Sequence, residues 1–402
     1  MRRYLLDAWT SWKKRLYPLA SRFTVRVSLV VGPLSGSGDD FRLLLVGDDW
    51  FLRRLMSLFP VAPREVWRAH VPWPLLRVFL RWRSKGFDFA FATLSEPYQR
   101  VFLPSTACHG KVLAGQILDV ADGWEGVRSR FSRQVRKDTN DFERKRGFRF
   151  RHATSVEEFD FFYDRMFLPY VKNRFGKYAA LIRRERLRSI FDEGFLFLVE
   201  KDGVAVAGQL GKVRDGVLEA SRIGILDGDP RHVRAGAMQA AYYHCIRIAL
   251  DRGCKEVDVG GSGPFLSNGA LRHKAEWGAK FRDTEVESEW FHVFTGADPR
   301  AARPFLSMHP TVILEGGRLC VLAAARDGVD DQAAQMLDQL RRWRRLGLDA
   351  ARVITEHGWR DYVLDDRLDK VESPEGSEPA PRRDDFARAQ AEGLSRAMDS
   401  GR

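Results

Sequence analysis

Long uncharged apolar runs are missing from this 402-residue chain. Nothing approaches the roughly 18 residues of a spanning helix, and the richest run, 51–61, is broken by Arg53 and Arg54. A transmembrane helix is therefore not expected. Cysteine is scarce: Cys108, Cys245, Cys254 and Cys320 are scattered, form no CxxC pair, and read as buried thiols in a reducing cytoplasm rather than a disulfide framework. His152, His232, His244, His273 and His292 show neither HExxH nor metal-triad spacing, and no GxSxG elbow appears, so neither a metal enzyme nor a Ser-His-Asp hydrolase is expected. No short-period repeat occurs. The opening MRRYLLDAWTSWKKRLYPLA is interrupted by Asp7, Lys13, Lys14 and Arg15 before an adequate apolar region forms, a poor signal peptide that points to the cytoplasm.

What the chain does have is an ordinary globular composition, 44% hydrophobic and 30% charged, at a length that suits two folded units. Its 66 Lys and Arg outnumber 54 Asp and Glu, a net charge of +12 that favours phosphates, nucleic acid or an anionic membrane as partners.

Residues 3–20 place Leu5, Leu6, Trp9, Trp12 and Leu16 near one helical face, as in an interfacial amphipathic helix or one docked on its own domain. Strand-like runs follow at 23–31 and 41–47. Between 51 and 83, arginines interleave with Trp67, Trp73, Phe79 and Trp82. That pattern suits a membrane or nucleic-acid face, or an amphipathic helix whose Arg stems cover apolar surface. A strongly basic helix is expected within 125–150, and Ser155 with Glu158 makes a capping box ahead of a further helix. Then FLFLVEKDG, VAVAGQLGKVRDG and VLEASRIGIL read as a meander joined by Asp-Gly turns. The loop ILDGDPRHVRAGA leads into a helix closed by Gly253, and KEVDVGG reads as a buried strand. Beyond about 365 the chain is rich in Pro, Glu, Ser and Arg and is expected to stay unstructured. The whole predicts an α/β (α+β) fold around a mixed sheet.

Chemistry concentrates in the second half. Backbone N–H groups at the helix opened by ILDGDPRHVRAGA, with Arg231 and Arg234, form a candidate pyrophosphate site; a glycine that merely allows a tight approach is the plain alternative. Asp258 ends an apolar strand at a Gly-Gly turn, where it would orient or deprotonate an amine, or simply cap the turn. Glu219 and Arg222, on the strand before the loop, face either an acceptor cleft or a cross-strand ion-pair partner. Arg133, Arg136 and Lys137 are candidates for clamping a nucleotide-sugar diphosphate or an RNA backbone, or else a solvated face.

The order of meander, loop, helix and buried strand resembles the acyl-CoA core of the GNAT superfamily. Arg231, Gly236 and Ala237 fit its loop frame of Arg or Gln, two residues, Gly, one residue, Gly or Ala, with Arg234 standing where the first Gly would be. Two stretches, SRFSRQVRKDTNDFERKRGFRF and VDVGGSGPFLSNGALRHKAEWGAKF, resemble the FemAB-like branch in particular. Asp258, Gly260, Gly261, Ser262, Lys274, Trp277, Gly278 and Ala279 occupy the places of its Asp-x-Gly-Gly-Ser strand and Lys-bearing helix. The resemblance implies two tandem GNAT-like subdomains: a degenerate one at 21–150 after the helix of 1–20, and the acyltransferase one at 151–297. A 298–362 extension and a 363–402 tail follow. It also implies that Lys274 stabilises an oxyanion or positions donor phosphates near the reacting carbonyl. Ser262, Glu219 and Arg222 would line the acceptor side.

The expected activity is transfer of an acyl group, acetyl-CoA being the expected donor, to the amine of an amino sugar, polysaccharide precursor or nucleotide-linked sugar, without a metal. The alternatives are a peptidoglycan-type aminoacyltransferase fed by aminoacyl-tRNA, an acyltransferase fed by an acyl carrier protein, and a non-catalytic phosphate- or nucleic-acid-binding protein. Contact with an anionic membrane, at the inner-membrane periphery, is a further expectation.

Overall fold

The computed structural model describes residues 23–34, 40–94, 101–142, 145–176, 179, 181–283, 289–325 and 333–370. The amphipathic segment read at 3–20 and the tail from 371 lie outside the described residues.

Two mixed sheets carry the fold. The first runs, in spatial order, β17 (Gly358–Val363), β16 (Ala350–Thr355), β15 (Arg318–Ala324), β14 (Thr311–Glu315), β5 (Cys108–Lys111), β13 (Trp290–Thr295), β4 (Phe89–Ala92), β2 (Asp40–Val46), β1 (Thr24–Pro33) and β3 (Arg64–Pro72). The second runs β12 (Lys280–Arg282), β6 (Ala114–Asp119), β11 (Glu256–Ser262), β10 (Val217–Ile225), β9 (Val204–Arg214), β8 (Phe195–Lys201) and β7 (Arg149–Ala153).

Local chemistry accounts for the second sheet. Asp202-Gly203 and Asp215-Gly216 both hold positive φ, the backbone that two-residue hairpin turns demand, and they set β8, β9 and β10 as the expected meander. Ser155 and Glu158 form the capping box that starts the helix Val156–Phe161. The helix Ala237–Asp251 lays Ala237, Ala240, Ala241, Cys245, Ile248 and Ala249 against the sheet, small residues that let it sit close.

The sheets do not divide at residue 150. Strand β6, from the first half, pairs antiparallel with β11, while β13 slots between β5 and β4 of the first sheet. Strands β14 to β17 extend that same first sheet. Each half thus completes the other's sheet.

Three expectations need correction. Residues 51–83 are not one amphipathic helix: helices Trp50–Leu55 and Leu76–Trp82 flank the edge strand β3. Pro60 and Pro63 before it, Pro72 at its end and Pro74 after it break helical hydrogen bonding, and the alternation REVWRAHV suits a strand. The basic stretch forms two short helices, Gly123–Ser129 and Arg133–Thr139, because Ser132 restarts the chain by accepting from Val135 N–H. Of the four thiols, Cys108 is only half-buried.

Two buried imidazoles make the fold acid-sensitive. Burial pushes His292 and His309, each under 10% exposed, down to about 4. The unfolded chain therefore binds more protons than the folded one between about pH 4 and 6.5, so stability falls as pH drops through that window. A loss on the order of 2 kcal/mol per histidine is expected, read as a falling Tm; a flat Tm from neutrality to pH 4.5 would contradict it.

Candidate active site

Strands β10 and β11 run parallel, but their register covers only Val217 with Glu256, Leu218 with Val257 and Glu219 with Asp258. Beyond Glu219 the two diverge, although β10 continues to Ile225 and β11 to Ser262. Both strands carry a bulge at this level: β10 against β9 between Glu219 and Arg222, β11 against β6 between Asp258 and Gly261. The result is a wedge whose walls have backbone N–H and C=O groups turned from sheet pairing toward whatever enters. A small cavity beneath it is lined by Ala220, Val257, Val259, Gln209, Tyr242 and Cys245.

Lys274 stands on the β11 wall. The helix Gly269–Glu276, capped by the Asn268 side chain on Ala270 N–H, buries this lysine to 7% exposure and aims Nζ at the carbonyls of Gly260 (2.8 Å) and Gly261 (3.3 Å). Two of three ammonium donors are thereby used. Burial lowers the ammonium to about 8, opposed by the Asp258 carboxylate and assisted by Arg222 and Arg174. Asp258 itself accepts Gly260 N–H at 2.7 Å, shaping the turn in which Gly260 adopts φ +74°. It therefore acts as the turn-former that the sequence allowed, and also as the nearby charge that keeps Lys274 protonated.

Around this pair lie groups that the sequence alone did not connect. Burial holds His273 at about 4, so it is a neutral imidazole packed edge-on against Tyr242 (5.0 Å between centroids). Burial drives the Tyr242 phenol far above its ordinary range. Arg174 bonds the Tyr170 hydroxyl, which in turn faces Met238 Sδ. Arg54, from the other sheet's helix, lies 5.7 Å over the Phe175 ring, and burial lowers its pKa. Arg54, Arg174, Arg222 and Lys274 have no ion pair among the described residues. Neighbouring protein atoms partly desolvate Arg222 and lower it as well, with Arg186 adding repulsion, although the side chain is exposed. Nothing in the spacing of Arg54 or Arg174 announced a shared site; the only signal was the surplus of unpaired arginine.

The other expected residues fall in different places. Ser262 is buried on β11, its hydroxyl without a hydrogen bond among the described residues. Glu219 ends the paired part of β10, opposite Lys212 and Asp258. Arg231 is 81% exposed and pairs with Asp229 through its guanidinium and its backbone N–H, holding that carboxyl at about 2. Arg234 is exposed on the same short helix, Pro230–Ala235. Gly236 joins that helix to Ala237–Asp251 at φ +98°, a left-handed backbone that favours glycine, with the flexible Arg146 guanidinium 2.8 Å from where a Cβ would sit. Ala237 is fully buried. Arg133, Arg136 and Lys137 form an exposed basic edge on a helix docked to the lysine-bearing one by Ser132 N–H to Glu276 O, 2.7 Å. No cluster of three or more metal-ligating side chains occurs among the described residues.

Residues 129–275 match the family model described as an acetyltransferase (GNAT) domain, in keeping with the GNAT-like and FemAB-like motifs of that stretch. Similar solved structures include L-PGS from Bacillus licheniformis, at 12% identity over 66% of this chain and 80% of that one, TM-score 0.32. FemX is similar at 10% identity over 68% and 89%, TM-score 0.37. The C-terminal domain (DUF2156) of a putative lysylphosphatidylglycerol synthetase from Agrobacterium fabrum follows at 13% over 72% and 87%, TM-score 0.33. No curated protein matches the chain.

Proposed function

We propose that the chain transfers an acyl group from acyl-CoA, acetyl-CoA foremost, to the amine of a phosphate-bearing acceptor such as a nucleotide-linked amino sugar or polysaccharide precursor. The observation that carries this reading is the buried Lys274 ammonium at the mouth of the β10–β11 wedge. A thioester laid along the wedge would bond its amide groups to the unpaired β10 backbone. The acceptor amine attacks the thioester carbonyl, the C–N bond forms, and negative charge develops on the carbonyl oxygen. The third Lys274 donor meets that charge in a water-poor site where it counts most. The C–S bond then breaks, and the proton lost by the amine is taken up by the departing thiolate. No covalent enzyme intermediate is needed. Arg54, Arg174 and Arg222 suit the acceptor's phosphates, since guanidinium forks match phosphate oxygens.

A second reading has its own support. Arg231 is occupied by Asp229 and the Arg133, Arg136, Lys137 edge is exposed, which suits aminoacyl-tRNA as donor in place of CoA. Calorimetric titration of the full chain with acetyl-CoA separates the two. Saturable heat, weakened at least tenfold by Arg231→Ala as the guanidinium swings from Asp229 to pyrophosphate, is expected. No heat with acetyl-CoA, together with salt-sensitive binding of aminoacyl-tRNA lost in Arg133→Ala/Arg136→Ala, would establish the second donor instead.

A further inference from the structure

The first sheet presents a surface that the acyl-transfer site does not use. On the short helix Leu76–Trp82, Leu76 and Leu80 point into the core, while Leu75 (56% exposed), Val78 (67%) and Trp82 (72%) form a stripe at helical spacing on the opposite side. Val66, on the adjoining edge strand β3, is also exposed. Scattered exposed apolar residues are ordinary, but a large aromatic, a leucine and a valine on one outward stripe mark a contact surface. Charge selects the partner. Between Glu65 and Asp88 the chain contains no acidic residue but carries Arg68, Arg77, Arg81, Arg83 and Lys85. Arg77, Arg81 and Lys85 are exposed with no ion pair among the described residues, and Arg83 lies 5.0 Å over the Trp82 ring. An apolar stripe tipped by tryptophan and bordered by carboxylate-free cations is the pattern of a helix lying in the headgroup region of an anionic bilayer.

We propose that the Leu75, Val78 and Trp82 stripe docks this protein on an anionic lipid surface, with Arg77, Arg81 and Lys85 facing the headgroup phosphates. The test is co-sedimentation of the full chain with phosphatidylcholine vesicles and with vesicles of equal parts phosphatidylcholine and phosphatidylglycerol. Binding only to the second kind is expected, weakened at least tenfold by Val78→Ser/Trp82→Ser and by Arg77→Ala/Arg81→Ala. Both pairs are solvent-exposed, so circular dichroism and Tm should match the parent. Absence of binding to the anionic vesicles overturns the proposal. So does binding lost in Trp9→Ser/Trp12→Ser but untouched by the Val78/Trp82 pair, which would assign the contact to the N-terminal segment. A parent that elutes as a dimer, with Val78→Ser/Trp82→Ser as a monomer, also overturns it and makes the stripe a self-association face. None of these outcomes bears on acyl transfer.

Discussion

Replacing Lys274 with methionine is expected to cut turnover by about 100-fold or more while leaving acetyl-CoA binding within a few-fold of the parent. The size follows from what removing a single preorganised oxyanion donor costs in a water-excluded site. The binding should survive because most donor contacts in the wedge would come from backbone. Methionine keeps the buried volume but leaves the Gly260 and Gly261 carbonyls without the ammonium, so Tm measured beside turnover separates a fold defect from lost chemistry. The pH profile sharpens the test. Lys274 titrates near 8, so turnover that depends on the ammonium declines as pH rises through that value, and the variant's residual rate should lack this descending limb. Loss of the Lys274 charge does not itself unfold the chain. With its pKa depressed in the fold, Lys274 leaves the unfolded chain binding more protons between about pH 8 and 10.5, so its contribution to stability rises over the range where activity falls. A variant with parental turnover would remove Lys274 from the chemistry and leave the wedge without its proposed electrophile.

Much of the second half was legible because its signals are local. Asp-Gly turns fix hairpin geometry within four residues, the capping box names a helix start, and the Asp-x-Gly-Gly-Ser strand followed by a lysine-bearing helix places Asp258 and Lys274 within reach of one another. What stayed hidden was non-local. The pairing of β6 with β11 joins residues about 140 positions apart, and no feature of the run AGQILD says which sheet it will enter. Arg54 approaches Phe175 across about 120 positions of sequence, a contact that no local pattern announces. The Arg231 pairing was likewise hidden: the loop pattern does not say that Asp229, two residues earlier, holds the same guanidinium. In residues 51–83 the count of arginines and aromatics favoured one helix, while four prolines marked the strand between two.

Trp277→Ala is expected to destabilise the fold by about 3–5 kcal/mol, the range for truncating a large buried aromatic and leaving a cavity. Trp277 has no exposed surface and stands between Phe131 at 5.1 Å and Tyr242 at 5.7 Å, with Trp124 touching Phe131 beyond. It thus joins three elements at one point: the basic segment, the helix Ala237–Asp251 and the end of the lysine-bearing helix, whose last turn closes with Trp277 N–H on Lys274 O. Its indole Nε1 has no hydrogen bond among the described residues, so the side chain acts by shape and area rather than by a polar link. Trp277→Phe, which keeps an aromatic ring and forfeits no hydrogen bond, should therefore cost well under half as much, about 1–2 kcal/mol. Urea unfolding measures both. If the two substitutions cost the same, the aromatic ring is not what holds the lysine-bearing helix. If Trp277→Phe retains turnover while Trp277→Ala loses it at temperatures where both remain folded, the aromatic pillar is what positions Lys274 against the wedge.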